Sequence, residues 1–237
     1  MKELFARLLP EIADFYAKWQ KSGPEYDWGY EFLYNPEDAC RRETKILLMT
    51  INPQADARRV IVTTPCPAEH ALWDGAFKMQ KQLLRLFEEL RNIVAPSGTD
   101  SVKEFASHHI IASSAVPFRT HSAGEISPDM WMFSRYLWGR VFKEWEPRLI
   151  LTVGYEAYKF LGAFFGFRYK PLPENRPGNG TTIGNRWIQF EKDDGSRITL
   201  AGFPHFSYFP AFSRNYDHNS PAYLFLRTVC ENSLMQE

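Results

Sequence analysis

Four short runs of consecutive apolar residues divide the chain, and each ends in polar residues, glycine or proline. The runs lie near residues 45–51, 109–116, 148–153 and 197–203. An uninterrupted apolar run between turn residues is typical of a strand that is buried on both faces, as in a parallel sheet. The pattern therefore predicts four buried, parallel strands.

Segments with apolar residues at helical spacing separate these runs. They lie near residues 4–19, 71–94, 128–145, 155–165 and 222–230, with a short helical turn at 101–107. Alternating strands and helices are typical of one α/β domain with right-handed crossovers. We expect a single domain over residues 1–237, a three-layer α/β/α sandwich around a four-stranded, mainly parallel sheet. Within it, residues 1–24 would hold an N-terminal helix and residues 170–196 a loop and hairpin insertion.

Polar side chains and glycine follow the predicted strands at the point where each one ends. In open α/β sheets, ligands bind beyond the carboxyl ends of the strands. One such residue is usually an ordinary turn residue, but four strand ends together predict a functional site. The residues at these ends are, in chain order, Asn52, Ser113, Ser114, Arg119, Gly154, Tyr155, His205 and Ser207.

Several short motifs, taken in order, resemble the uracil-DNA glycosylase superfamily. The likeness is greatest to its single-strand-selective branch, which carries Gly-Met-Asn-Pro-Gly and His-Pro-Ser-Pro-Arg-Asn, and it extends from Tyr34 to Asn215. It implies the strand order 2-1-3-4 and a reaction without cofactor or metal. The motifs here are Tyr34-Asn35-Pro36-Glu37-Asp38-Ala39, Thr50-Ile51-Asn52-Pro53, Pro204-His205-Phe206-Ser207 and Ser213-Arg214-Asn215.

The resemblance implies a monofunctional DNA glycosylase, which hydrolyses the N-glycosidic bond of a pyrimidine flipped out of DNA. Dissociative cleavage needs a hydrogen-bond donor at the base oxygen where negative charge grows. By resemblance His205 is that donor, as a neutral imidazole, and Asn52 orients the attacking water. A flipped base also needs an aromatic face to stack on, and the family places it where Trp73 and Phe77 stand, with Trp73 preferred.

The loop after the fourth strand, residues 206–215, combines aromatic residues with an arginine. Such a loop suits a wedge that enters the base stack while a cation contacts phosphate. We expect Phe209 and Phe212 to form the wedge and Arg214 to contact DNA, with Arg119 extending a local basic track. The alternative is a hydrophobic lid that packs on the C-terminal helix.

Departures from the family motifs bear on which base is bound. Ser114 stands where the family carries the asparagine that reads uracil, so Ser113, Ser114 and Ser207 are the expected base contacts. A hydroxyl cannot form the bidentate pairing of an amide. The substitution therefore predicts weak preference for uracil and room for a larger, modified pyrimidine, unless Asn35 or Asn215 supplies the amide.

Composition limits the partners without choosing between them. With 28 basic and 28 acidic residues the net charge is zero, which argues against coating nucleic acid through bulk charge but allows a local basic groove. Cys40, Cys66 and Cys230 lack the spacing of a metal site. The N-terminal sequence does not resemble a signal peptide, and no apolar run approaches the ~20 residues of a membrane span. We expect a cytoplasmic monomer whose partner is DNA, with no membrane association.

Three functions remain open at this point. A glycosylase would serve base-excision repair or defence against phage DNA with modified bases. A non-catalytic nucleic-acid-binding module on the same fold is the alternative. A nucleoside- or nucleotide-processing enzyme should carry a glycine-rich phosphate loop, and Gly178-Asn179-Gly180 is not followed by a predicted helix.

Overall fold

The four apolar runs form the parallel part of one larger sheet. The computed structural model describes residues 2–21, 29–35, 43–53, 62–63, 78–173, 185–212 and 217–235. Its helices are α1 Lys2–Gln20, α2 Lys78–Val94, α3 Val102–His109, α4 Pro128–Glu144, α5 Tyr155–Gly166 and α6 Pro221–Ser233. Its strands are β1 Gly29–Tyr30, β2 Ile46–Thr50, β3 Val62–Thr63, β4 Ile110–Ser114, β5 Leu149–Val153, β6 Lys170–Pro171, β7 Arg186–Glu191 and β8 Arg197–Phe203.

The main sheet has six strands in the order β4-β2-β5-β8-β7-β6. The first four are parallel to one another, and their order confirms the predicted strand order 2-1-3-4. The prediction of only four strands is wrong, because β7 and β6 extend the sheet antiparallel. The segment 186–191 pairs with β8 along its whole length, and a tight turn joins the two strands, in which Gly195 has a φ of +80°. Strands β6 and β7, which the sequence analysis places in an insertion, therefore belong to the main sheet.

Most predicted helices are found where the apolar spacing placed them. His109 ends α3 instead of opening the strand that follows, and residues 71–77 of the predicted second helix lie outside the described residues. A capping box at Ser101 and Glu104 fixes the start of α3, since each side chain binds the backbone N–H of the other residue. None of the described helices is long and apolar enough to cross a membrane.

Helices cover both faces of the sheet, as the sandwich prediction requires. Alternate residues of β2 point to opposite sides, Leu47 and Met49 into one apolar core and Ile46 and Leu48 into the other. The first core contains residues of α1, α4 and α5, and the second contains residues of α2, α3 and α6. The parallel strands are therefore buried on both faces, and their carboxyl ends are left as the open edge.

The outer edge of β4 is covered by the segment 29–35. Backbone N–H groups of Tyr34 and Ser114 donate to Ala112 and Phe32 at 2.8 and 3.1 Å. The side chain of Asn35 continues this ladder, because its Nδ2 donates to Ile110 O at 3.1 Å and its Oδ1 accepts from the Ala112 N–H. A buried amide side chain thus takes the place of a backbone pair at the edge of the sheet.

We expect substitutions of Asn35 to destabilise the fold. Asn35→Ala leaves two buried backbone groups without this partner, at about 1–3 kcal/mol for each group. Asn35→Asp places a carboxylate against the Ile110 carbonyl. Burial raises the pKa of such a carboxyl, so the folded variant binds a proton more readily than the unfolded chain and regains stability as the pH falls.

Urea unfolding at pH 7 and near pH 4 measures both effects. The exposed Asn219→Asp substitution, just ahead of α6, is the control and should change little at either pH. An Asn35→Asp protein as stable as the Asn219→Asp protein at pH 7 would contradict the role given to the Asn35 amide.

Candidate active site

A cleft of about 500 Å³ opens at the carboxyl ends of the parallel strands. Strand register explains its position: Thr50 is the partner of both Ser114 and Val153, and Val153 is the partner of Phe203. The residues that follow β2, β5 and β8 therefore emerge side by side. Those that matter for the cleft are Asn52, Thr120, His121, Tyr155, Glu156, Tyr158, Arg186, His205, Ser207, Tyr208 and Phe209.

Asn52 lies at this cleft with its amide orientation fixed by neighbours. Its Nδ2 donates to Thr120 Oγ1 at 2.9 Å and to the Pro53 carbonyl at 3.1 Å. The Thr120 hydroxyl donates its own proton to Ser122 O at 2.7 Å, so it must accept from Asn52. Both amide protons are then used, and Oδ1 is the atom left to accept a hydrogen bond from a ligand or water.

His205 lines the same cleft, two residues beyond the end of β8. The Ser207 N–H donates to its Nδ1 at 3.3 Å, so the neutral ring carries its proton on Nε2. Burial lowers the pKa of His205, and the nearby Glu156 carboxylate opposes this shift. Because burial dominates, the imidazole is held neutral, with one N–H to donate.

Two glycines shape the elements around His205: Gly154 permits a positive backbone φ, and Gly202 permits a close approach. Gly154 follows β5 with a φ of +105°, and a Cβ there would lie 3.6 Å from His205 Cδ2. A Cβ on Gly202 would lie 2.7 Å from the ring of Tyr158. The start of α5 therefore packs directly against the end of β8, which brings Tyr155 and Glu156 to the cleft.

Ser113 and Ser114 are not brought to the cleft. Both side chains are fully buried. The Ser113 hydroxyl donates to Phe32 O at 2.8 Å and the Ser114 hydroxyl to Glu31 O at 3.1 Å. Their predicted contact with a base is therefore not supported. The Asn35 amide is likewise occupied at the edge of β4, so it does not replace them.

The loop after β8 divides between the core and the cleft. Phe212 is completely buried, and its ring packs 5.7 Å from those of Phe203 and Phe206. The burial of this ring does not support the predicted role of Phe212 as a wedge in DNA. The side chain of Gln82 in α2 holds the loop in place, because it donates to Phe206 O and accepts from the Phe212 N–H. Phe209 and Ser207 line the cleft.

The remaining predicted contacts lie elsewhere or outside the described residues. Arg119 is near Glu31, where its charge opposes the burial that raises the pKa of the Glu31 carboxyl, and it is not among the residues that line the cleft. Trp73, Phe77 and Arg214 lie outside the described residues. The stacking and phosphate roles given to these residues thus stay predictions.

Sequence reasoning missed several residues of the cleft. Thr120 lies six residues beyond β4, too far for a rule about strand ends to identify it. Glu156 and Tyr158 lie in the first turn of α5, which begins directly after β5, whereas the strand-end pattern points only to Tyr155. Arg186 reaches the cleft because β7 belongs to the main sheet, which the four-stranded prediction did not include.

The described residues contain no group of three or more His, Cys, Asp or Glu placed to hold a metal ion. Cys230 is buried in the core, and burial raises the pKa of its thiol to about 12, so it is not a ready nucleophile. No protein-family model matches the chain, and no curated protein matches it. The site must therefore be interpreted from its own geometry.

We expect His205 to be the neutral Nε2–H tautomer with a pKa below the ordinary value of about 6.5. Two-dimensional ¹H–¹⁵N NMR of the imidazole nitrogens across pH 4–8 measures both properties. Because folding lowers this pKa, the group favours the folded state above pH 6.5 and loses that contribution as the pH falls through the lowered value.

An Nδ1–H tautomer for His205 would contradict the hydrogen bond from Ser207. A pKa above 6.5 for His205 would contradict the argument that burial outweighs the Glu156 carboxylate.

Proposed function

We propose that this chain is a monofunctional DNA glycosylase that hydrolyses the N-glycosidic bond of a uracil-like or modified pyrimidine. The observation that carries the proposal is that Asn52 and His205 line one cleft, each with a free group of the type that this reaction needs. Asn52 offers an acceptor and His205 a neutral donor. The motif resemblance supports the same assignment.

His205 would act on the leaving base. As the C1′–N bond breaks, its electron pair moves into the base and negative charge grows on a carbonyl oxygen of the base. The Nε2–H can donate to that oxygen, while the acceptor role of Nδ1 toward Ser207 keeps the ring in the required tautomer. Losing such a donor costs about 3 kcal/mol, roughly a hundredfold in rate.

Asn52 would act on the nucleophile. A water that donates to Oδ1 is held in place, and its oxygen forms the new bond to C1′ of the oxocarbenium-like sugar. The water proton passes to solvent, and the anionic base takes up a proton on release. A strong general base is not required, because the sugar cation is itself a strong electrophile. The proposal therefore fits an amide whose protons are already used by Thr120 and Pro53.

Two exposed aromatic residues beside His205 suit contact with the bases of DNA. Tyr208 is 77% exposed and Phe209 is 45% exposed, and the Tyr208 ring lies 5.4 Å from that of His205. A base must leave the stack before an enzyme can act on it, and each stacking contact is worth about 1–3 kcal/mol. We propose that the rings of Tyr208 and Phe209, and not that of Phe212, form the wedge or stacking surface.

The proposal predicts base release from at least one member of a DNA panel. Single- and double-stranded oligonucleotides carrying uracil, hypoxanthine, hydroxymethylcytosine or glucosylated bases are incubated with the protein, and abasic sites are scored by alkaline cleavage. Repair would be supported by release of uracil, and defence by release of phage-type modified bases. Binding without release from any substrate would contradict the glycosylase proposal and favour the non-catalytic module.

His205→Ala and Asn52→Ala should each slow single-turnover release by roughly a hundredfold with little change in DNA affinity, because both groups act mainly in the transition state. The exposed substitutions His108→Ala and Asn92→Ala are matched controls that should keep the wild-type rate. Full activity of His205→Ala on the confirmed substrate would remove its assigned role.

Thr120→Val tests whether Asn52 must be held in one orientation. The variant keeps the side-chain shape but removes the acceptor for Asn52 Nδ2, so the amide can turn and its oxygen no longer holds water in one place. We expect base release to slow by about tenfold at unchanged DNA affinity, with recovery in Thr120→Ser. Equal rates for Thr120→Val and wild type would show that this hydrogen bond does not matter for the reaction.

A further inference from the structure

A stacked pair of charged and aromatic side chains lies at the rim of the cleft. Arg186 is the first residue of β7 and is the register partner of Gly202 near the end of β8. Tyr155 is the first residue of α5. Both line the cleft that contains Asn52 and His205. The antiparallel extension of the sheet, absent from the four-stranded prediction, thus adds a cation beside the candidate site.

The guanidinium of Arg186 is held in place by Tyr155. Its Cζ lies 4.2 Å from the centre of the Tyr155 ring, and its Nη1 donates to the Tyr155 hydroxyl at 2.8 Å. Lys159, one helical turn further along α5, places its Nζ 4.3 Å from the centre of the same ring. Two cations thus share one aromatic side chain that is 41% exposed.

Neither cation is neutralised within the described part of the chain. No ion pair joins Arg186 or Lys159 to a carboxylate among the described residues. The guanidinium has five N–H donors, and among the described residues it makes one hydrogen bond, to Tyr155. Its Nε is buried without an acceptor. A planar, oriented cation with unused donors beside an open cleft is suited to an anion with several oxygen atoms.

We propose that Arg186, held by Tyr155 and supported by Lys159, binds a backbone phosphate of the DNA strand whose base enters the cleft. The inference rests on the proposed function in one respect, that the phosphate belongs to DNA. A phosphate contact fixes the position of a strand without reading its sequence. It also explains how a chain with zero net charge binds a polyanion, since the positive charge is placed where the strand passes.

Tyr155 is a positioning residue in this arrangement. Its hydroxyl accepts from Arg186 and its ring supports both cations. Tyr155→Phe keeps the ring but removes the acceptor, so the guanidinium keeps its charge and loses one restraint. The variant should weaken DNA binding less than Arg186→Gln and leave the salt dependence unchanged.

Binding of a fluorescent single-stranded oligonucleotide, measured by anisotropy in a His205→Ala background, tests the inference without turnover. Arg186→Gln should weaken binding by about tenfold at ~50 mM salt and reduce the steepness of log K against log salt by about 0.7, as expected for one lost phosphate contact on a single strand. Arg186→Lys should keep the salt dependence and lose part of the affinity, because a point charge replaces the planar fork. Arg197→Gln, an exposed change at the opposite end of β8, is the matched control and should change neither value.

Equal affinity and equal salt dependence for Arg186→Gln and Arg197→Gln would overturn the inference. Inorganic phosphate is titrated at matched ionic strength as a second probe. Weak competition by phosphate supports a DNA strand as the ligand. If phosphate binds as tightly as the oligonucleotide, and this binding is lost in Arg186→Gln, the assignment to DNA is overturned.

Base release separates this inference from the proposed function. Arg186-dependent binding without release of any base would leave the phosphate site standing and remove the glycosylase assignment. Base release by a protein whose DNA binding does not depend on Arg186 would support the glycosylase assignment and remove the phosphate site. A wild-type protein that binds no DNA would remove both.

Discussion

Parallel pairing in register is the constraint on which the candidate site depends. Thr50, Ser114, Val153 and Phe203 lie in one row across the four parallel strands, so whatever follows each strand emerges at the same edge. The strands are buried on both faces by helices, which leaves that edge as the place where polar groups can meet solvent and ligand. Asn52 and His205 lie more than 150 residues apart in the sequence and reach one cleft for this reason.

Hydrogen bonds within the cleft then decide what each side chain can do. Thr120 accepts from Asn52 because its own proton is used by Ser122, and this leaves the amide oxygen as an acceptor. The Ser207 N–H occupies Nδ1 of His205 while burial keeps the ring neutral, and this leaves Nε2–H as a donor. The Asn52 amide is therefore fixed as an acceptor and the His205 imidazole as a donor. Without these hydrogen bonds, neither the orientation of the amide nor the tautomer of the imidazole would be fixed.

Much of the fold could be predicted from the sequence, because buried parallel strands appear in it as continuous runs of apolar residues. The strand order came from the motif resemblance and not from the runs. β7 was missed as part of the main sheet because the sequence of a short strand does not reveal its partner strand. Nothing in the spacing showed that the Asn35 side chain would complete the edge of β4.

The candidate site could be predicted only in part, because position along the chain does not fix where a side chain points. Asn52 and His205 follow strand ends and reach the cleft, whereas Ser114 closes a strand and turns to the covering segment 29–35. Phe212 lies in an aromatic loop, yet its ring packs into the core. Thr120 was missed because the turn that returns it to Asn52 is a tertiary feature.

The Asn52→Ala/His205→Ala double variant tests the central claim most directly, because it removes both groups from the one cleft. Single-turnover base release on the best substrate of the panel is compared between this variant and wild type, with unfolding in urea used to confirm that the fold is intact. The account predicts a folded protein that still binds DNA and releases base at least a hundredfold more slowly than wild type. Release at the wild-type rate by the folded double variant would place the reaction elsewhere on the molecule.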